Sequence, residues 1–235
     1  MEDYAIRLNR EWIEYLRSVD FVRAPLHAHL LAVASTVWEA EDILRQALQL
    51  GFAVVARDGA EFAGFDRADE GLTRIAMDLW SSHSDASRPR RPPSRDLVER
   101  FVAYFNGGDG AGIGALLHDA VVFDGFPFPG GYGKDHAMAA GHWVEVATQP
   151  GASAVMRAEV RIYSGEPLIC VWRKRRQEDA FEEVWRLEEK DSLVSRMRDY
   201  AVCPETLHIV ARDLGLDRQF HAQSYLRFLA PADDE

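Results

Sequence analysis

Four consecutive segments between residues 153 and 204 alternate apolar and polar side chains with a period of two, and this pattern restricts the fold more than any other feature. Such alternation is typical of strands that place one face on a core. Turn residues separate the segments at Gly165, at 177–179 and at 190–191. The pattern therefore predicts a meander of four strands. The segments read SAVMRAEVRIYSG, EPLICVWRKRR, AFEEVWRLEEKD and SLVSRMRDYAVCP.

The segments around this meander predict helices that cover a sheet. Residues 94–106 begin at the cap-type Ser94, carry an apolar stripe of Leu97, Phe101 and Phe105, and end at a Gly-Gly pair. Helices combined with a run of strands predict an α+β domain over residues 96–216. The remaining elements are a short helix in DGAGIGALLHD, a first strand in AVVFDGF, a third helix in GKDHAMAAGHWVEVATQ and a last helix in PETLHIVARDLGL.

The first 83 residues have a helical period instead, and they predict an all-helical domain of four helices, over 2–19, 24–38, 39–55 and 68–83. The stretch SDASRPRRPPSRD follows, and its three prolines cannot continue a helix. We therefore predict a semi-rigid linker at 84–95. Residues 217–235 are predicted to form a C-terminal tail.

Charge and composition exclude several classes of function. The net charge is −11, and residues 1–83 hold eight Lys and Arg against fourteen Asp and Glu, so tight DNA binding is disfavoured. No apolar run approaches the roughly 20 residues of a membrane span, and the charged N-terminus does not resemble a signal peptide. The two cysteines, Cys170 and Cys203, have no metal-site spacing. A reduced, cytoplasmic protein is the expectation.

The C-terminal half resembles the SnoaL-like domains of the ketosteroid-isomerase and nuclear-transport-factor superfamily. The order of helices, turn and strands matches over about residues 95–202. The ending RMRDYAVCPETLHIVARDLGL is similar to the close of the SnoaL-like domain in certain extracytoplasmic-function (ECF) sigma factors, and GGYGK at 130–134 is similar to a glycine-rich loop of those domains. The resemblance implies helices packed in a curved antiparallel sheet that encloses a conical cavity.

The N-terminal half resembles region 2 of such sigma factors. The segment EAEDILRQALQLGF is similar to the helix that docks on RNA polymerase, which implies that Glu41, Asp42 and Gln46 face the polymerase. GLTRIAMDLWSSHSDASRPRR is similar to the helix that reads the −10 element, but Asp78 stands where the family carries a neutral polar residue. The linker is too short for a region 4. The resemblance implies a sigma-derived chain with weak or lost promoter binding.

Strand alternation and the resemblance together give the candidate pocket. We predict that Trp172, Trp185, Met197 and Asp199 share the cavity face. An aspartate among apolar neighbours has a raised pKa and can serve as a general base or acid. The alternative is that Asp199 forms an ion pair or faces solvent.

Four further residues are candidates, each with a structural alternative. His142 and Trp143 lie on the third predicted helix, where the superfamily places pocket residues, although a lone helix histidine is more often structural. Asp124 ends the first strand at the expected pocket mouth, or it caps a loop. Tyr104 offers a hydroxyl to the cavity, or it packs. His136 and His142 are six apart and share no helical face, so no metal site is predicted.

Three functions stay open at this point. The favoured one is a sigma-related regulatory protein that binds RNA polymerase core or another protein and whose SnoaL-like domain senses a small apolar ligand. The second is a SnoaL-type enzyme (a cyclase, isomerase or hydrolase) that acts by general acid/base chemistry without a cofactor. The third is a structural module whose sheet face forms a homodimer. Fold alone does not choose among them.

Overall fold

The computed structural model describes residues 2–58, 68–83, 92–125, 131–140, 156–175, 178–201 and 203–216. The chain divides into two compact units, one within residues 1–88 and the other within residues 89–225. The described part of the first unit consists of α1 (Glu2–Leu31), α2 (Val37–Asp58) and α3 (Ala68–His83), which all pack on one another.

The described part of the first unit contains three helices where the sequence predicted four. The first predicted segment and the first part of the second, up to Leu31, form the single helix α1, which continues through Pro25. Proline removes one backbone hydrogen bond from a helix interior. Here Val22, Leu26 and Leu30 lie on one buried stripe across the proline, so burial of this face outweighs the lost bond.

Helix α2 begins two residues earlier than predicted because Thr36 caps it. The Thr36 hydroxyl accepts a hydrogen bond from the Glu39 amide at 3.1 Å. The Glu39 carboxylate in turn accepts from the Ser35 amide at 2.7 Å. This reciprocal arrangement satisfies free N–H groups at the start of the helix. The sequence prediction had placed this cap inside a helix.

The second unit is built on a six-stranded sheet of order β2-β1-β6-β5-β4-β3. The pairings from β3 to β6 are antiparallel, as the meander predicts. The β1–β6 pairing is parallel, so the sheet is mixed and not wholly antiparallel. The strands are β1 (Leu117–Gly125), β2 (Gly131–Tyr132), β3 (Met156–Tyr163), β4 (Glu166–Arg175), β5 (Glu178–Lys190) and β6 (Leu193–Asp199).

The described helices that accompany the strands are α4 (Arg95–Asn106), α5 (Gly110–Leu116), α6 (Lys134–Ala140) and α7 (Pro204–Asp213). Ser94 caps α4 by accepting from the Leu97 amide at 3.3 Å, and Gly108 follows the helix at φ +66°, as the Gly-Gly pair predicts. Helix α6 covers the first part of the predicted third helix. The rest of that prediction lies outside the described residues.

The main core lies between α4, α5 and the facing side of the sheet. Phe101 and Phe105 from α4 pack edge-on against Trp185 of β5, with ring centroids 6.4 and 5.1 Å apart. The sheet contributes alternate residues, such as Ile169 and Val171 on β4. This core holds α4 on the sheet and so fixes the surroundings of the inward side chains of β5 and β6.

A β-bulge in β6 changes which residues of that strand face the core. Glu189 pairs with Val194, but Glu188 pairs with Arg196, so one residue of β6 is extra. Val194 and Met197 therefore share the core. Simple alternation along β6 would group Leu193 with Met197 instead.

The opposite side of the sheet is also partly covered. Helix α7 packs against β5. Val184 and Tyr200 alternate with core residues along their strands and are fully buried, as is Leu207 of α7. Among the described residues, every helix is too short or too polar to cross a membrane.

Candidate acid/base site

Two carboxylates are buried next to each other on the core side of the sheet. Glu183 of β5 is 1% exposed and Asp199 of β6 is 6% exposed. Asp199 pairs in register with Trp185, which lies two residues after Glu183 and on the same side of β5. The two carboxylates are therefore diagonal neighbours across adjacent strands.

Each carboxylate accepts a hydrogen bond from a fixed donor. The Trp185 indole N–H donates to Oε2 of Glu183 at 3.0 Å. The Ala201 backbone amide donates to Oδ1 of Asp199 at 2.8 Å. The indole ring is itself held by Phe101 and Phe105 of α4, so the donor to Glu183 cannot easily move.

The electrostatic surroundings favour a proton on this pair. Burial, and then the negative charge of Asp199, raise the pKa of Glu183 to about 8. Arg173 and the Trp185 hydrogen bond act in the opposite direction, but they do not outweigh burial. At neutral pH Glu183 therefore holds a proton, which makes its carboxyl a donor.

Three of the predicted pocket residues lie together in this region. Trp185 and Met197 belong to one buried cluster, and Asp199 is the register partner of Trp185. Asp199 does not face solvent, which was one of its alternatives.

Trp172 faces away from this region, contrary to the prediction. Its neighbour Val171 pairs with Glu183 on the core side, so Trp172 lies on the other side of β4. There its ring packs against Phe181, and the Arg157 guanidinium lies 4.6 Å from the ring centroid. Strand β4 is buried on both sides, and alternation of apolar residues cannot identify the inward side in such a strand.

Asp124 also lies outside the acid/base site. It pairs in register with Arg198 on β6, and its carboxylate lies 3.4 Å from the Arg198 Nε and 3.6 Å from that of Arg196. Phe123, the preceding residue, packs on the core, so Asp124 points to the opposite side of β1. Asp124 is thus a half-buried member of an ion-pair cluster rather than a residue at a pocket mouth.

The remaining predicted pocket residues divide into two groups. Tyr104 is half-buried at the edge of the core, with its ring against Gly112, where an added Cβ would lie 2.5 Å from the Tyr104 Cδ1. Packing, the alternative for this residue, accounts for its position. His142 and Trp143 lie outside the described residues.

The predicted polymerase-facing residues on α2 do not share one exposed face. Glu41 is 0% exposed, and its carboxylate contacts Arg23 at 3.1 Å and His27 at 3.6 Å. It lies on the buried stripe with Leu44 and Leu48, so it cannot be a surface contact. Asp42 and Gln46 are half-buried.

Sequence reasoning missed Glu183. The available signal was the pair Glu182-Glu183 inside AFEEVWRL, a strand that is otherwise apolar. A charged residue flanked by buried ones is informative because buried carboxylates are rare unless they are paired. In the described ranges, no group of three or more His, Cys, Asp or Glu side chains is placed to hold a metal ion.

Comparison with known proteins finds similar proteins by structure alone. No family model and no curated protein matches the chain. A putative ketosteroid isomerase from Kribbella flavida is 23% identical, with a TM-score of 0.34, over 45% of this chain and 74% of the other. An LEH-like epoxide hydrolase from M. tuberculosis is 17% identical, with a TM-score of 0.33, over 51% and 94%.

An NTF2-like protein of unknown function from Cytophaga hutchinsonii is also similar. It is 11% identical, with a TM-score of 0.33, over 48% of this chain and 92% of the other. The similar proteins thus carry NTF2-like and ketosteroid-isomerase names and span about half of this chain. At these identities and TM-scores the likeness places no activity on the chain, so the function has to be argued from the site.

Proposed function

We propose that the second unit is a cofactor-independent acid/base enzyme that acts on a small, neutral and mainly apolar molecule. The observation that supports this proposal is the buried Glu183–Asp199 pair. Two interacting carboxylates in an apolar setting titrate in two separate steps, so one can donate a proton while the other accepts one. An isomerase, cyclase or hydratase needs both steps.

The surroundings of the pair suit such a substrate. The buried cluster that contains Trp185, the hydrogen-bond donor to Glu183, consists of aromatic and aliphatic side chains such as Phe105 and Leu187. The pair carries a net negative charge once one proton is bound, which disfavours an anionic substrate. A protonated carboxyl can donate its proton to the oxygen of a neutral ketone or epoxide, or to a carbon of an alkene. The carboxylate can then remove a proton from a substrate carbon or from an attacking water molecule.

The proposal is tested by proton exchange on a panel of neutral ketones. Full-length protein is incubated in D₂O with small cyclic enolisable ketones, and exchange at the α-carbon is followed by NMR. We expect Glu183→Gln and Asp199→Asn each to slow exchange by about 10²–10⁴-fold, the usual contribution of a general acid or base.

Glu178→Gln is the matched control, since Glu178 is an exposed residue at the start of the same strand. The Glu178→Gln variant should catalyse proton exchange at the α-carbon of the ketone at the wild-type rate. If the wild-type protein accelerates neither this exchange nor the hydration of matching epoxides and alkenes, the enzyme proposal is wrong.

The sigma-related function of the first unit is a second candidate, supported by its resemblance and by two exposed apolar side chains, Phe21 at 68% and Leu50 at 47% exposed. It is tested by a pull-down with core RNA polymerase, beside a promoter-DNA titration at moderate salt. Substitution of Phe21 and Leu50 by Ser should abolish a specific polymerase contact. Binding to neither polymerase nor DNA would remove this candidate.

A further inference from the structure

The side chain of Asn106, the last residue of α4, shows which way the backbone of β3 points. Its amide nitrogen donates to the carbonyl oxygen of Ala158 at 2.9 Å, and its amide oxygen accepts from the Ala158 N–H at 2.8 Å. Strand β3 ends the sheet order, so both groups of Ala158 point away from β4 and towards the outer edge of the sheet. In an antiparallel pair, residues of this kind alternate with residues that bond the neighbouring strand. Val160 and Ile162 therefore also direct their N–H and C=O groups to the outer edge.

The residue opposite Ile162 supports this orientation. It is Pro167 of β4, which has no N–H and so cannot exchange a pair of hydrogen bonds with Ile162. Asn106 occupies the outer edge at Ala158, and the chain turns away after β3 at Ser164, where φ is +52°. The open edge of β3 therefore comprises residues 160–163.

The open edge carries an exposed apolar side chain. Ile162 is 52% exposed, and Val160, which lies on the same side of the sheet, packs only partly on the core. Among the residues that the structure describes, none bonds the outward backbone groups of Val160 or Ile162. Native proteins protect such edges with lysine, proline, a bulge or a covering element, and here Asn106 covers Ala158 alone. The open edge can therefore accept another strand.

The strand that complements this edge is β3 of a second copy, in antiparallel orientation about a twofold axis at Arg161. In this register Val160 of each copy would face Ile162 of the other, and the two pairs would use every outward N–H and C=O group of the open edge. Each exposed Ile162 would be covered by a β-branched side chain, which is a favourable cross-strand pair.

The neighbouring registers are blocked at one end or the other. A shift in one direction would place Ile162 opposite Ala158, whose backbone groups already bond Asn106. A shift in the other direction would place Val160 opposite Ser164, which lies in the turn after β3. The register centred on Arg161 is the one that leaves both ends of the open edge free to pair.

The charges on the other side of β3 suit the same register. The Arg161 guanidinium donates to Glu159 of its own chain at 2.7 Å, and the two side chains are 46% and 34% exposed. Diagonal neighbours across two strands lie about 7–8 Å apart, within reach of long side chains. Each Arg161 would therefore also reach Glu159 of the second copy, and these contacts offset the repulsion between the two arginines at the axis.

We propose that the open edge of β3 is a self-association site, through which two copies of the chain pair into one continuous sheet. Twofold pairing uses up the edge of both copies, so association stops at the dimer. The contact is small beside the roughly 1,200 Å² of a standard stable interface, and the dimer is therefore weak and reversible. The site is separate from Glu183 and Asp199, so it does not depend on the proposed function.

The first test is sedimentation of the full chain up to millimolar concentration, where we expect a monomer–dimer equilibrium. Ile162→Lys places a lysine on the edge, and it should weaken the dimer at least about tenfold. Tyr132→Lys is the matched control, because Tyr132 is 78% exposed on β2, at the opposite end of the same sheet. It should leave the dimer unchanged. If Ile162→Lys does not fold, Ile162→Thr carries the test, with a smaller loss.

The second test is the response of single amide groups to protein concentration in ¹⁵N NMR. The N–H signals of Val160 and Ile162 should shift as the dimer forms, because these groups gain hydrogen-bond partners. The N–H of Arg161 points to β4 by the same alternation and should shift less. A wild-type chain that remains monomeric at millimolar concentration overturns the proposal, as does a dimer that Ile162→Lys leaves intact.

A mixture of wild-type chain with Arg161→Glu tests the register. The variant alone should lose its dimer, since the introduced carboxylates would face each other and lie diagonal to Glu159. In the mixture the introduced glutamate would face Arg161 of the wild-type copy, and opposite charges directly across two strands are stabilising. Sedimentation of the dye-labelled variant should therefore show a heterodimer tighter than the wild-type dimer. Equal affinities would overturn the axis at Arg161.

Discussion

Each unit of this protein buries a cluster of charged side chains, and the two clusters differ in how their acidic and basic side chains contact each other. In the first unit, the carboxylate of Glu41 meets a guanidinium and an imidazole, those of Arg23 and His27, at 3.1 and 3.6 Å. In the second, Arg173 is shared by Glu182 and Glu183, with Asp199 close by. In the first cluster one acid contacts two basic side chains, whereas in the second one arginine contacts two acids.

This difference underlies the proposal that the first cluster is structural and that the second acts in acid/base chemistry. A buried carboxylate that has partners stays ionised and fixes the packing of its helices. A buried carboxylate that lacks a full counter-charge takes up a proton instead, and it can later release that proton. Burial of charge alone therefore does not mark an active site.

The largest expected effect comes from removing the carboxylate of Glu41 from the buried cluster of the first unit. Glu41→Gln leaves the Arg23 guanidinium buried without its carboxylate, and we expect a loss of about 3–5 kcal/mol in the free energy of unfolding. Urea denaturation followed by circular dichroism measures it. Asp42→Asn, on the half-buried neighbour, should cost far less. The double variant Arg23→Met with Glu41→Leu should restore most of the loss, and failure to do so would show that the cluster has a role beyond packing.

The second effect is a dependence of stability on pH that the protonation of Glu183 should produce. The folded-state pKa of Glu183 is raised above its unfolded value, so its contribution is fully present below pH 4.5 and is lost as pH rises through about 8. The change should be on the order of 3 kcal/mol. Denaturation curves at about pH 5, 7 and 9 measure it, with Glu183→Gln as the comparison. A slope that persists in that variant would assign the effect to another group.

The sequence predicted those parts of the second unit that depend on local patterns. The four meander strands follow from alternation and turn residues, and the cap at Ser94 follows from a single side chain beside a helical stripe. These features need no knowledge of distant partners. Trp185, Met197 and Asp199 were placed together by the same alternation, since polar residues such as Arg186, Arg196 and Arg198 separate the inward residues of their strands.

The errors concern features that depend on distant partners. Trp172 was assigned to the wrong side because residues 168–172 are all buried, so their pattern has no polar side. Glu183 was missed because its burial depends on a bulge opposite Val171, which a single strand does not encode. Glu41 was placed on the surface by its resemblance to a docking helix, but its partner Arg23 lies on another helix.

A smaller effect is expected when the indole of Trp185, which links Glu183 to α4, is replaced. Trp185→Phe removes the donor to Glu183 while retaining an aromatic ring against Phe105. We expect a loss of about 1 kcal/mol at about pH 6, where Glu183 is protonated, and about 2 kcal/mol at about pH 9, where the acceptor is charged. The same change should raise the pKa of Glu183 further. Equal losses at both pH values would mean that the lost packing, and not the hydrogen bond, dominates.

The smallest effect should come from a solvent-exposed ion pair. This pair tests whether contact distance or burial decides how much an ion pair contributes to the free energy of unfolding. Arg95 and Glu99 form an i,i+4 pair on α4 at 2.7 Å, shorter than the 3.1 Å contact of Arg23 with Glu41, but their side chains are 70% and 51% exposed. Because water already solvates both groups, Glu99→Gln should cost no more than about 0.5 kcal/mol. Its effect should shrink further in about 1 M NaCl, while that of Glu41→Gln should persist. A loss comparable with that of Glu41→Gln would mean that contact distance sets the energy of an ion pair, and the distinction drawn between the two buried clusters would then lose its basis.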